Sequence, residues 1–519
     1  MTSSLGASPV SGVADASVSR SVTFTVNTEL PGAGEVDASE EMVRRVTTAV
    51  ETAFGTQVVR HGPGLRTLRL ECGLTVRLLA GPDQTGERGN IMVSAVIGDP
   101  GTGQRAEAVL RLVQRIPLTT AEWRELTGQM PLTVGVPQHL PSGCLSRTAP
   151  VLAVHHMRDF LVLVDALRRL GVPPRLMTVL DKGYRYRNTL RVDAHLRALG
   201  VSVWPWQRAE AALADHVRRA GEAGRRGVLI DDGGYLLPVL IERCPRLLDQ
   251  FDGLVEQTTS GIAKLARFDA LPLPIFSVAE SRVKAAVEPY GIADAALRNL
   301  SALLPEEKWE GQAALVLGFG RIGSQLAEVL RQRRMRVAVH DASTEALVTA
   351  MERGFETGRD LCALLRRHQP LLVVGCTGRT SLGAEHAVSL LRDCYLVSTT
   401  SRDREFDLTG LRGAAKSCWS AGRLGFHLEM PHSPRPRVTV VADGFPINFH
   451  FAESLPNKYA DLVMASLVVG AATLARKGNG FAPGHNVART DEVLGDSGLL
   501  ERYYARFGPH HATTGGDAE

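Results

Sequence analysis

At 519 residues the chain is too long for one ordinary domain, and two or three are expected. Its 44% hydrophobic and 22% charged residues are those of a soluble globular protein, and a formal net charge of +4 points to neither a nucleic-acid nor a membrane partner. No apolar run approaches the ~18 residues of a bilayer span, and seven scattered cysteines without a CxxC pair fit a reducing cytoplasm.

The first twenty residues read as a disordered leader lacking the charged and apolar regions of a signal peptide, and 508–519 read as a disordered tail. Between them, 21–135 opens as a small α+β module. "SVTFTV" reads as a strand, "ASEEMVRRVTTAVETAF" as a capped amphipathic helix, and "LRTLRLECGLTVRLLAG" and "NIMVSAVIGD" alternate as paired strands do. Nothing in this module indicates chemistry.

After Pro141 strand and helix alternate. "PVLAVHHM" precedes "RDFLVLVDALRRLG", "RLMTVL" precedes "TLRVDAHLRALG", and "VSVW" precedes "AEAALADHVRRAG" and then "GVLIDDGG". Buried apolar strands alternating with amphipathic helices indicate a doubly wound parallel sheet, whose ligands sit at the carboxyl ends of its strands. His155, His156, Asp231 and Asp232 fall at such ends.

A second series opens with "AALVLGFGRIGSQLAEVL". Its GxGxxG (Gly318, Gly320, Gly323, with Arg321 and Ile322 between) follows an apolar strand and starts a helix. Glycines there allow a tight turn and let backbone N–H groups approach a pyrophosphate. The next strand, "RVAVHD", ends in Asp341, about twenty residues on, where a carboxylate accepts ribose hydroxyls and repels a 2′-phosphate. A dinucleotide, NAD in preference to NADP, is the expected cofactor. The fold expected is α/β, two doubly wound Rossmann-like domains plus the small N-terminal module. The fifteen histidines show no HExxH or His/Cys grouping, so no metal is expected.

"VLIDDGG", "VEQTTSGIAKL" and "SVAESRVKAAVEPYG", followed by the glycine fingerprint, occur in an order that resembles the S-adenosylhomocysteine hydrolases, and "AVHHM" is similar to that family's "GCLHMTVE" strand end. The resemblance runs from about Cys144 to Lys477. It implies a substrate domain over 136–285, an NAD domain over 286–450 and a helical return to the substrate side over 451–507. It also implies a homo-oligomer and a nucleoside substrate. Bound NAD takes a hydride from the ribose 3′ carbon, the ketone acidifies the 4′ proton, and the 5′ substituent leaves before water adds. By the same resemblance Lys284 stands beside the 3′ hydroxyl, Asp232 is the catalytic aspartate and His156 serves the 4′/5′ end. Thr258, Thr259 and Ser260 contact the cofactor, as do Thr377, Gly378 and Thr400, while Asp341 holds its ribose and Asn448 lies near the nicotinamide.

The departures gather in the same places. Gln257 replaces a glutamate that holds the ribose, Glu288 replaces an aspartate, Arg158 replaces a substrate-contacting threonine, and Ser401 and Leu455 replace histidines. "DKGYRYRN" replaces a polar loop, and Lys182, Arg185, Arg187 and Arg158 would together suit an anionic substituent. The reading is an NAD-dependent enzyme acting on an adenosine-type nucleoside other than S-adenosylhomocysteine. The alternative is a non-catalytic, NAD-binding regulatory relative.

Overall fold

A computed structural model describes residues 20–27, 35–62, 65–70, 75–80, 90–97, 108–109, 111–112, 114–184, 186, 188–400, 404–450 and 455–509. The expected leader up to residue 19, the tail from 510, and Arg185, Arg187 and Ser401 lie outside them. The chain forms two compact units, Met1–Glu125 and Leu126–Glu519.

In the first unit β1 (Arg20–Asn27), β2 (Thr56–Gly62), β3 (Leu65–Leu70), β4 (Thr75–Ala80) and β5 (Asn90–Ile97) form an antiparallel sheet in the order β1-β5-β4-β3-β2. Helix Glu35–Phe54 places Val43, Val46 and Val50 on one stripe, all buried, as are Leu68, Leu70 and Val76 of the strands. The helix packs on the sheet along that stripe.

The second unit holds two parallel sheets. One joins β6 (Thr148–Ala153), β7 (Thr178–Asp181), β8 (Ser202–Pro205), β9 (Arg226–Asp231), β10 (Phe251–Glu256) and β11 (Pro274–Ser277), in the order β11-β10-β9-β6-β7-β8. The other joins β12 (Ala313–Leu317), β13 (Arg336–His340), β14 (Glu356–Thr357), β15 (Leu372–Gly375), β16 (Cys394–Ser398) and β19 (Arg437–Val441), in the order β14-β13-β12-β15-β16-β19. Antiparallel β18 (Gly425–Glu429) and β17 (Ser417–Ser420) extend its far edge, and β20 (Gly484–His485) extends the first sheet beside β11.

Numbered within each sheet, both orders are 3-2-1-4-5-6, the Rossmann arrangement. Each therefore has a point where consecutive crossovers diverge to opposite sides and leave a crevice. It lies between β6 and β9 in one sheet and between β12 and β15 in the other. The strands there are fully buried runs such as Thr148–Ala153 and Ala313–Leu317, because helices cover both faces. Helix Asn457–Leu474 then returns to the first sheet, packing on β10 and on helix Arg158–Arg169. Its buried Asp461 accepts the backbone N–H groups of Leu132 and Thr133 at 2.8 and 2.7 Å, satisfying the open start of helix Pro131–His139. Among the described residues no helix is long and apolar enough to cross a membrane.

Candidate active site

A cavity of about 260 Å³ is lined by residues following β6, β9 and β10 of one sheet and β15 and β16 of the other. Its walls include Asp232, Gln257, Lys284 and Glu288 from the first side and Cys376, Thr377, Gly378 and Thr400 from the second, with Asn448 between. The two crevices thus share one space.

The first wall is a charge network. Lys284, 7% exposed, sits on a one-turn helix whose start is capped by Ser281, and its amine donates to the Gln257 carbonyl at 2.6 Å and pairs with Glu288 at 3.0 Å. The Asp232 carboxylate, 6% exposed, lies 3.4 Å from Lys182 Nζ and 3.3 Å from His155 Nε2. Burial alone would raise its pKa. Lys182, His155 and Lys284 outweigh that and hold it below the usual carboxylate range. Lys182 also donates to the Asp232 carbonyl at 2.6 Å, and Lys264 donates to the Gly233 carbonyl while lying over the Tyr235 ring.

Two buried acids support this wall: Asp231, which the sequence already placed at a strand end, and Glu256, which sequence reasoning passed over. Glu256 accepts from the N–H groups of Gly233 (3.1 Å), Gly234 (3.2 Å) and Thr258 (2.9 Å), so it ties the turn after β9 to the turn after β10. Asp231 accepts the Tyr235 and Leu236 N–H groups at 2.6 Å. Burial, with the charge of Asp232, raises Asp231 to about 6, and burial, with the charge of Asp231, raises Glu256 to about 8. Glu405 has the same place on the opposite wall. Fully buried, it accepts from the backbone of Thr377 and Gly378 and from the hydroxyls of Thr377, Ser381 and Thr400. Nothing in the spacing of single glutamates marks them; the fold makes them anchors.

Several expected placements need correction. His156 does not line the cavity: its buried ring turns to Asp193, with Nδ1 2.5 Å from Oδ1, and His155 takes the cavity position. Arg158 is buried in the first turn of helix Arg158–Arg169, outside the cavity lining, whereas Lys182 lines the cavity with its amine 3.4 Å from Asp232. All three residues of the hydroxyl run line the cavity, and Thr258 also accepts from Gly261 N at 3.1 Å as a helix cap and donates to Glu256 at 2.9 Å. The Thr377 and Thr400 hydroxyls are likewise held by Glu405. Gln257 lines the cavity with its Oε1 buried and without a described partner, a side-chain acceptor available to a ligand.

The glycine turn has the shape a pyrophosphate requires. A side chain at Gly323 would overlap the Gly318 carbonyl oxygen, and one at Gly318, whose φ is +92°, would press on Thr377; at Gly320 it would meet nothing within 4 Å. The turn is therefore closed where helix meets strand and open at the start of helix Arg321–Gln332, where N–H groups point outward. Arg321 is exposed there and Ile322 reaches the cavity. Asp341, just beyond β13, accepts from Phe319 N and Ser343 N, both at 2.7 Å, which fixes its carboxylate beside the turn.

The donor atoms of His156, Asp181 and Asp193 lie within 4.8 Å of one another, a grouping that sequence spacing did not suggest. Two ligands on a bound metal stand roughly 3 Å apart, so the 2.5 Å His156–Asp193 hydrogen bond would have to open to admit one.

No family model matches the chain. An uncharacterized protein of Mycobacterium tuberculosis is 30% identical over 337 residues, 61% of this chain and 62% of that protein. The chain thus matches less than two thirds of that relative's length. The adenosylhomocysteinase of Acinetobacter baylyi is 25% identical over 370 residues, covering 66% of this chain and 76% of that enzyme. Among solved structures, a dipicolinate synthase chain from Bacillus halodurans aligns at a TM-score of 0.41 and 10% identity, over 64% of this chain and 100% of that one. An NADPH-dependent glyoxylate/hydroxypyruvate reductase of Sinorhizobium meliloti aligns at 0.36 and 14%, over 66% and 98%.

Proposed function

We propose that this chain binds NAD at the Gly318–Gly323 turn and acts on an adenosine-type nucleoside other than S-adenosylhomocysteine. The reaction is transient oxidation at the 3′ carbon with elimination or addition at the 5′ carbon. One observation carries the reading: the buried amine of Lys284 opens on the cavity shared by the two Rossmann crevices, with Glu288 at 3.0 Å and the Asp232 carboxylate on the same wall. The distant identity to an adenosylhomocysteinase supports it.

Gly320, the start of helix Arg321–Gln332 and Asp341 would hold the dinucleotide, with Asn448 on the cavity side. When bound, NAD supplies a hydride acceptor. The rest falls to the protein. The neutral amine of Lys284 takes the proton of the 3′ hydroxyl as the C3′–H bond breaks, and Glu288 pairs with the ammonium that results. Asp232, held ionised, is the acceptor for the proton on the neighbouring carbon. Gln257 keeps a hydrogen bond to the sugar without the charge of a glutamate. Lys284→Met should abolish the 340 nm absorbance that appears when nucleoside is added to the NAD-loaded protein. Absence of that band in the unaltered protein across a broad nucleoside panel, with NAD bound, would favour the regulatory alternative.

A further inference from the structure

Two departures from the hydrolase-like pattern, 31 residues apart in sequence, meet at one hydrogen bond. His155 stands where the "GCLHM" strand end has leucine, and Tyr186 belongs to the replaced loop "DKGYRYRN". In the structure the Tyr186 hydroxyl meets His155 Nδ1, and His155 Nε2 lies 3.3 Å from Asp232 Oδ2. The His155 ring lies 5.1 Å, centroid to centroid, from Tyr184 and also from Phe449, and its side chain, 20% exposed, lines the cavity. These aromatic contacts, with partners at both ring nitrogens, hold the imidazole in place.

The direction of the chain follows from its far end. Burial, and then the charge of Asp232, push the Tyr186 pKa far above that of an ordinary phenol, so its hydroxyl keeps its proton and donates it. When the imidazole is neutral, Nδ1 is then the acceptor, Nε2 carries the ring hydrogen, and that hydrogen is donated to Asp232. His156, beside it in sequence, is engaged with Asp193 instead.

We propose that Tyr186 and His155 are positioning residues for Asp232: the Tyr186 hydroxyl selects the His155 tautomer, and His155 Nε2–H keeps the Asp232 carboxylate ionised and aimed as acceptor of a carbon-bound substrate proton. This rests on the function proposed above. In the step itself the proton moves from the carbon beside the oxidised one to Asp232, the electron pair stays on the substrate, and His155 and Tyr186 retain their own protons.

The test uses full-length NAD-loaded protein, adenosine deuterated at the 4′ carbon, and the variants H155L, H155Q and Y186F. The quantity read is deuterium washout into water relative to formation of the 340 nm band, from pH 5 to 9. H155L should lower that ratio about tenfold and move its acid limb to higher pH, because a carboxylate that loses a donor is protonated more easily. H155Q, whose amide reaches the place of Nε2, should recover to within about threefold of the unaltered protein, and Y186F should fall between. In 15N-histidine spectra of the protein without substrate, His155 should be the Nε2–H tautomer, and Y186F should show a mixture. An unchanged ratio and acid limb in folded H155L, or an Nδ1–H tautomer in the unaltered protein, overturns the proposal. If the unaltered protein forms no 340 nm band with any nucleoside, the functional reading falls and the proton-acceptor role falls with it, while the spectra still decide whether Tyr186 sets the tautomer.

Discussion

The two Rossmann sheets of the larger unit share one strand order, yet they build their halves of the cavity by different means. In the β12–β16 half the shape comes from backbone: Gly323 can be nothing larger because the Gly318 carbonyl lies against it, and Gly320 leaves the helix start open. In the β6–β11 half it comes from side chains, a network of Asp232, His155, Lys182, Lys284 and Glu288 around two buried acids. A backbone site suits a ligand of fixed shape, whereas a side-chain site can be retuned one residue at a time. Gln257, His155, Lys182 and Tyr184, all departures from the hydrolase-like pattern, lie on that second kind of wall.

The contrast predicts different failures. Lys284→Met should cost about a thousandfold in the rate of nicotinamide reduction while leaving unfolding by urea nearly unchanged, since a buried amine contributes chemistry more than packing. A stable and fully active Lys284→Met variant would erase the distinction. Gly323→Val should do the reverse, destabilising by at least about 3 kcal/mol as the side chain forces helix from strand, with dinucleotide binding lost alongside. Tight NAD binding by a normally stable variant would contradict the backbone account.

Glu405→Gln sharpens the comparison from inside the dinucleotide half. An amide cannot accept from every donor around it, and a loss of about 2 kcal/mol with weaker NAD binding is expected by urea titration and calorimetry. Asp461 gives the most conditional effect. Burial raises its folded pKa to about 6, above the ~3.9 of an unfolded aspartate, so the folded state binds its proton more tightly. The associated stability is fully present below pH 4 and is lost as the pH rises through 6, a change of about 3 kcal/mol at most. Asp461→Asn should flatten that slope in urea midpoints measured between pH 4 and 7; an unchanged slope would assign it elsewhere.

How much of this was legible follows the same division. The parallel α/β fold could be read because buried strands are continuous apolar runs, and the glycine turn because its spacing is local. The side-chain wall was read less well. Of the adjacent His155 and His156, sequence reasoning chose His156; a strand end sends successive side chains to opposite sides, and only the packed structure shows that Asp193 claims His156. Glu256 and Glu405 were missed because their meaning lies in N–H groups brought from other turns. Lys182 looked like a free cation in "DKGYRYRN" until the fold set it against Asp232, whose partner is 50 residues away in sequence.

Adenosine deuterated at the 3′ carbon tests the central claim most directly. Mixed with the NAD-loaded protein and quenched within one turnover, it should yield reduced nicotinamide carrying a single deuterium, read by mass spectrometry of the released cofactor. Reduced nicotinamide without deuterium, or none at all while the dinucleotide is bound, would contradict the account.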